Sequence, residues 1–100
     1  MDLEAVSMNI IANAGDAKGL AFDALNEAKK GNFERAHELM KQSEEAGNTA
    51  HKAQMQLLSA QANGEVMNVD VLLVHAQDHL MTTLIAQELI KEMIEMYERK

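Results

Sequence analysis

The sequence has no cysteine, proline or tryptophan, and only three of its 100 residues are aromatic. Without cysteine the chain has no disulfide, no thiol nucleophile and no thiolate ligand for a metal, which fits a reducing compartment. The lack of proline, together with a glycine count of only five, removes the residues that most often interrupt helices. The sequence therefore predicts a helical protein whose core is built from aliphatic and methionine side chains.

Positive charge is also scarce, because nine lysine and arginine residues stand against sixteen acidic ones, for a formal net charge of −7. Nucleic-acid phosphates and anionic membranes would be repelled by such a chain, so neither is expected as a partner. No apolar run approaches the roughly 20 residues that span a bilayer. The first four residues lack the basic start and apolar core of a secretion signal. We therefore expect a cytoplasmic protein without direct membrane insertion.

Apolar and small residues recur at spacings of three and four in three segments, which predicts three helices. Asp2, Asn32 and Asp70 precede these segments and are suited to cap the free N–H groups of the first turn. Short connections force neighbouring helices to be antiparallel, so the predicted fold is all-α, an up-down-up three-helix bundle. The single expected domain covers residues 1–100, with helices at about 2–30, 33–62 and 71–99.

The third segment carries two apolar stripes, more than two helices of the same chain can cover. The first stripe is expected to face the other two helices, and it consists of Leu73, Ala76, Leu80 and Leu84. The second is rotated away from it and consists of Val74, Asp78, Met81, Ile85, Leu89 and Met96. An aliphatic stripe left in water favours aggregation, so the second stripe is expected to meet another copy of the chain.

Three ionisable residues, His75, Asp78 and His79, share one face of the third helix, because positions three and four apart are neighbours on a helix. A neutral imidazole is a nucleophile that can accept a group near neutral pH and pass it on. Asp78 has two interpretations: it orients a histidine, or it lies at a symmetry axis where carboxylates share protons or bind a hard cation such as magnesium.

Two other interpretations of this cluster remain open. His75, Asp78 and His79 have a spacing that allows zinc binding, although such sites usually need a further strong ligand and a base. The same residues could instead be ordinary polar residues at the edge of the bundle. Of the two histidines in the second helix, His37 is expected at the surface and His51 is ambiguous.

The sequence LLVHAQDHLMT at residues 72–82 resembles the signature of one protein family. This family is the enzyme IIA component, of the lactose and N,N′-diacetylchitobiose (cellobiose) type, of the phosphoenolpyruvate-dependent sugar phosphotransferase system. Weaker similarities are AGDA at residues 14–17, KGNF at 30–33 and AHKAQ at 50–54. The resemblance extends over almost the whole chain.

The resemblance implies a phosphocarrier that assembles as a homotrimer of three-helix subunits. By comparison with the motif, His75 would take phosphate on Nε2 from phosphorylated HPr and pass it to a cysteine of the cognate IIB protein or domain. Asp78 would meet its symmetry mates around Mg²⁺ or a similar ion at the trimer centre, and Gln77 and His79 would have supporting roles. No organic cofactor is implied. The resemblance does not identify the imported sugar, because the IIA component does not bind it.

Two residues depart from the family pattern. Gly47 and Thr49 stand where members more often carry a larger apolar residue and a glutamate, which puts the stability of the second helix in question. The alternative to a phosphocarrier is a non-catalytic oligomeric adaptor. In such an adaptor the histidine and aspartate cluster would only fix the register of the subunits, as a polar residue in an apolar seam can do.

Overall fold

A computed structural model describes all 100 residues and contains three helices and no strand. The helices are α1 (Leu3–Lys29), α2 (Phe33–Ala62) and α3 (Val71–Glu98). They form an elongated bundle of 52 × 19 × 17 Å. Because the connections are short, α2 runs antiparallel to both of its neighbours and α1 runs parallel to α3. None of the three helices combines the length and the apolar character that crossing a membrane would require.

Side chains cap the N-termini of two of the three helices. Asp2 and Asp70 each accept a hydrogen bond from the backbone N–H three residues ahead, at 3.1 and 2.8 Å, as expected of capping residues. Asn32 forms no such bond, so the prediction that its side chain caps α2 is wrong. Its Nδ2 instead donates to the carboxylate of Glu27 at 2.8 Å, which joins the end of α1 to the turn.

Both turns contain a glycine that follows the end of a helix. Gly31 has a φ of +84° and Gly64 a φ of +90°. This left-handed backbone region is open to glycine without the strain that a Cβ would introduce. The two reversals of the chain therefore depend on glycine at these positions.

The core consists of two apolar clusters, one near each end of the bundle. Isoleucines of α3 lie at the centre of one cluster, where Ile90 and Ile94 pack against Leu39 and Met40 of α2. The other cluster lies near the start of α1 and α3 and comprises Ile10, Ala14, Ala50, Ala53, Leu57, Leu73, Ala76 and Leu80. On α1 the buried side chains are mostly small, which allows the other helices to approach closely. These small residues are Ala14, Ala17, Ala21, Ala24 and Ala28.

Buried polar side chains lie between the two clusters and connect all three helices. The Ser43 hydroxyl donates to the Ala17 carbonyl at 2.6 Å. Gln87 Nε2 donates to the carbonyl and the hydroxyl oxygen of Ser43 at 2.9 and 2.8 Å. The Thr83 hydroxyl donates to the Ala14 carbonyl at 3.5 Å. We call Ser43, Thr83 and Gln87 the polar layer. It fixes the axial position of each helix, because sliding one helix would leave buried polar groups without partners.

Gly47 is explained by its contact with this layer. A Cβ on Gly47 would lie 2.9 Å from Nε2 of Gln87, and the glycine itself is buried. The helix continues without interruption through residues 47–49, and the Thr49 hydroxyl donates to the Glu45 carbonyl at 3.1 Å. The departure at residue 47 thus gives Gln87 the room it needs to reach Ser43.

The second apolar stripe of α3 is exposed along its length. Val74, Met81, Ile85, Leu89 and Met96 all belong to the exposed large hydrophobic residues, and Asp78 is exposed among them. The first stripe packs against the core as predicted, and Leu84 lies at its edge. Leu73, Ala76 and Leu80 are buried, Leu84 is half-buried, and the buried face continues through the polar residues Thr83 and Gln87.

Candidate functional site

The candidate site lies on the first turns of α3. The Asp70 cap begins this helix, and the buried residues Leu73, Ala76 and Leu80 hold it against α1 and α2. His75 is exposed and His79 is half-buried, on the flank of α3 between its packed face and its exposed apolar stripe. The His75 imidazole is therefore presented to solvent from a helix that packs against the rest of the bundle instead of from a loop.

The two imidazole rings lie against each other. The ring centroids of His75 and His79 are 5.9 Å apart and the ring planes differ by 8°, a stacked arrangement that follows from their i, i+4 spacing. His79 also lies beside α1, because a Cβ on Gly15 would be 3.6 Å from Nε2 of His79. His79 thus lies beside both His75 and the backbone of α1.

Gln77 lies on a different flank of α3 from His75, because residues two apart on a helix do not face each other. Its Oε1 accepts a hydrogen bond of 2.5 Å from Nε2 of Gln54 on α2, and the same Nε2 lies 3.6 Å from the sulfur of Met81. Within one chain the structure therefore brings His79 to His75 but not Gln77. Sequence reasoning did not predict the contact between Gln54 and Gln77; a signal was the polar side chain of Gln54 at a buried position of α2.

Asp78 is exposed and lies on the apolar stripe, one residue from His79. The Thr82 hydroxyl donates a hydrogen bond of 3.0 Å to the backbone carbonyl of Asp78. Within one chain no group of three or more histidine, cysteine, aspartate or glutamate residues is placed to hold a metal ion, so the geometry does not support the zinc interpretation. The Asp78 carboxylate offers the oxygen ligands that a hard cation prefers. Further copies of the chain would have to supply the remaining protein ligands.

The two histidines of α2 lie outside the cluster. His37 is exposed, as expected, and its Nε2 lies 2.7 Å from the carboxylate of Glu98 at the opposite end of the bundle. His51 is exposed on α2. Neither residue joins His75 in a common site.

Most of the net negative charge of the chain lies in the half that carries His75. Residues 1–16 and 48–84, which surround the cluster near the start of α1 and α3, contain six acidic residues and a single lysine, Lys52. The remaining residues contain ten acidic and eight basic ones. Among these remaining residues, a hydrogen bond of 3.0 Å from Lys91 to the Glu44 carboxylate raises the pKa of Lys91. A partner that approaches His75 therefore meets a mostly uncompensated negative surface.

Comparison with known proteins gives a consistent result. Residues 5–98 match the family described as "PTS system, Lactose/Cellobiose specific IIA subunit". The N,N′-diacetylchitobiose-specific EIIA component of Escherichia coli K12 is 48% identical over 98 residues, which cover 98% of this chain and 84% of that protein.

Solved structures agree with this comparison. The cellobiose-specific enzyme IIA of Bacillus anthracis superimposes with a TM-score of 0.95 at 39% identity, over 99% of this chain and 91% of that one. IIA(Chitobiose) in its complex with HPr, from the N,N′-diacetylchitobiose branch of the E. coli phosphotransferase system, gives 0.83 at 45% identity, over 99% and 96%.

Proposed function

Because the chain belongs to the lactose/cellobiose-specific IIA subunit family of the sugar phosphotransferase system, we propose that it carries a phosphoryl group on His75. The observation that carries the proposal is the exposed imidazole at residue 75, within the sequence VHAQDH and on a helix that is held rigidly from behind. An exposed ring on a fixed helix suits transfer between docking proteins better than a reaction inside a closed pocket.

The chemistry requires one nucleophile and no cofactor. In the first step a ring nitrogen of His75, Nε2 by analogy with the family, attacks the phosphorus of phosphohistidine on HPr. A new P–N bond forms, the P–N bond to HPr breaks, and the HPr imidazole keeps the electron pair. In the second step a cysteine thiolate of the cognate IIB attacks the same phosphorus, which forms a P–S bond and releases the His75 ring. The sugar is of the lactose, cellobiose or diacetylchitobiose type.

The charge distribution supports association with a partner that is basic around its own reactive residue. The half of the chain that contains His75 has six acidic residues and one lysine, and charge complementarity speeds encounter and orients the partners. The solved complex of a relative with HPr supports HPr as the donor. We place the reaction in the cytoplasm.

A homotrimer is the assembly that we propose for the carrier. The exposed stripe on α3 supports it, because Val74, Ile85 and Leu89 would be shielded if three copies met along this face. Asp78 lies in the middle of the stripe, so three carboxylates would converge there. Their oxygens would hold Mg²⁺ or a similar hard ion, whose positive charge offsets the repulsion between them.

Phosphorylation in a reconstituted system tests the function. Wild-type protein incubated with phosphoenolpyruvate, enzyme I and HPr should gain one acid-labile phosphate per chain, measured by intact mass before and after mild acid. His75→Ala should gain none, because the nucleophile is removed. His37→Ala and His51→Ala are matched controls at exposed histidines outside the site and should be phosphorylated normally.

Two results would contradict the proposal. One is wild-type protein that stays unmodified while HPr itself is phosphorylated, and the other is full modification of His75→Ala. Sugar uptake that survives His75→Ala would favour the adaptor, in which the polar cluster only sets the register of the subunits.

A further inference from the structure

Two glycines, one turn apart on α1, differ in what lies beside them. Gly15 and Gly19 are both exposed and both helical, and each lowers helix stability relative to alanine. A Cβ on Gly19 would meet nothing within 4 Å, whereas a Cβ on Gly15 would lie 3.6 Å from Nε2 of His79. A methyl group at residue 15 would therefore contact His79 at an ordinary distance, and a larger side chain would compete for the space beside its ring.

The ring of His79 is stacked on the ring of His75. The rings are nearly parallel, with an interplanar angle of 8° and centroids 5.9 Å apart. His75 is exposed, whereas His79 is half-buried with its Nε2 beside α1, so the exposed ring is stacked on one that α1 contacts. An exposed histidine without such support would rotate freely about its side-chain bonds.

The orientation of the His75 ring matters for phosphoryl transfer. The lone pair of an imidazole nitrogen lies in the plane of the ring, so the phosphorus of the donor must approach within that plane. Attack and departure at phosphorus are roughly in line, and a nucleophile held in the productive orientation lowers the barrier. Fixing the plane of His75 thus favours one direction of approach.

We propose that His79 is a positioning residue for His75 and that Gly15 provides its seat, so that α1 sets the plane of the phosphoryl-accepting ring. This inference rests on the proposed function of His75. It assigns to His79 a role through its ring face, with no proton transfer. It also assigns to Gly15 a role in the reaction although it does not touch the reacting atoms.

A matched pair of valine variants tests the seat. Gly15→Val and Gly19→Val make the same change on the same helix, but only Gly15→Val adds bulk beside His79. The rate constant for phosphate transfer from saturating phospho-HPr should fall about 3- to 10-fold in Gly15→Val relative to Gly19→Val, the value expected from loss of one aromatic pair. The concentration of phospho-HPr that gives half the maximal rate should be similar in both.

Ring-current shifts provide a readout that loss of stability alone would not move. In ¹H–¹³C spectra the ring signals of His75 should shift in Gly15→Val and stay in place in Gly19→Val. Equal rates in the two valine variants, or unchanged His75 ring signals in Gly15→Val, would overturn the proposal.

Replacements of His79 separate the ring face from the ring nitrogens. His79→Phe keeps a flat ring in the seat and should transfer phosphate within about 2-fold of wild type, whereas His79→Asn keeps a polar group and should lose about 3- to 10-fold. If both variants are equally impaired, stacking is not the means of positioning. If wild-type protein accepts no phosphate at all, the proposed function fails, while the ring shifts still decide whether Gly15 seats the stack.

Discussion

Gln87 holds its buried position by two hydrogen bonds to Ser43, and Gly47 lies directly beneath its carboxamide. Gly47→Ala should lower the free energy of unfolding by about 1 kcal/mol, measured by urea denaturation. Alanine is favoured over glycine in a helix by about 1 kcal/mol, but the new methyl group displaces Gln87. Two buried hydrogen bonds worth about 1 kcal/mol each are then lost.

Gly19→Ala is the matched control, because nothing lies within 4 Å of the added Cβ. It should raise stability by about 0.5–1 kcal/mol. The double variant Gly47→Ala, Gln87→Ala has no carboxamide to displace. It should therefore be no less stable than the single variant Gln87→Ala. If Gly47→Ala stabilises the protein as much as Gly19→Ala does, the close contact with Gln87 has no energetic consequence.

The sequence predicted the positions of some polar residues but not the burial of others. His75, Asp78 and His79 could be placed on one face, because their spacing is a property of a single helix. Burial of Thr83 and Gln87 could not be predicted, since polar residues are buried only where partners on other helices satisfy them. The pairing of Gln54 with Gln77 was missed for the same reason.

At the scale of a single helix, the start of α3 determines where His75 is presented. Asp70→Ala should lower the free energy of unfolding by about 1 kcal/mol, because the 2.8 Å hydrogen bond to the first turn is lost. Asn32→Ala is the control at the start of α2. It removes no side-chain cap, only the solvent-exposed hydrogen bond to Glu27, and should lower the free energy of unfolding by less than about 0.5 kcal/mol. Similar losses in both variants, measured by urea denaturation, would contradict this difference.

The helices themselves were largely predictable. The expected bounds of 2–30, 33–62 and 71–99 differ from the observed ones by one residue at most, because spacing of apolar residues, capping residues and glycines is written locally in the chain. The doubt about the stability of α2 came from the departure of Gly47 and Thr49 from the family pattern. The contact of Gly47 with Gln87 depends on a residue 40 positions away in the sequence, which no local pattern contains.

At the scale of the whole molecule, the exposed stripe of α3 makes a prediction about assembly. In the trimer that we propose, Asp78→Leu should keep or increase stability, because it would replace converging carboxylates by apolar packing. Sedimentation equilibrium over a range of protein concentrations measures this. Asp23→Leu removes the same charge from an exposed position of α1 outside the stripe and should leave the association constant nearly unchanged.

A monomeric wild-type protein at all accessible concentrations would contradict the assignment of Asp78 to a shared centre. Removal of bound metal with a chelator provides a second test of the shared centre. If the carboxylates share an ion, chelation should weaken the wild-type trimer and leave the Asp78→Leu trimer unaffected.

Assembly and electrostatics differ in how far the sequence predicts them. The surplus of apolar residues on α3 could be recognised from the pattern, but the number of copies that cover it was implied only by the family resemblance. The net charge of −7 follows directly from the composition. Its concentration around His75 required the fold, because residues 1–16 and 48–84 are brought together only by the packing of the bundle.

The alanine-rich contact of α1 has a consequence for the thermodynamics of the subunit. Among the large side chains, only Ile10, Leu80 and Ile94 are essentially removed from solvent, and the other fully buried side chains are small ones of alanine, serine and threonine. Exposure of apolar surface raises the heat capacity on unfolding, whereas exposure of polar surface lowers it. A single subunit should therefore unfold with a small heat-capacity change, and its stability should vary only gently with temperature.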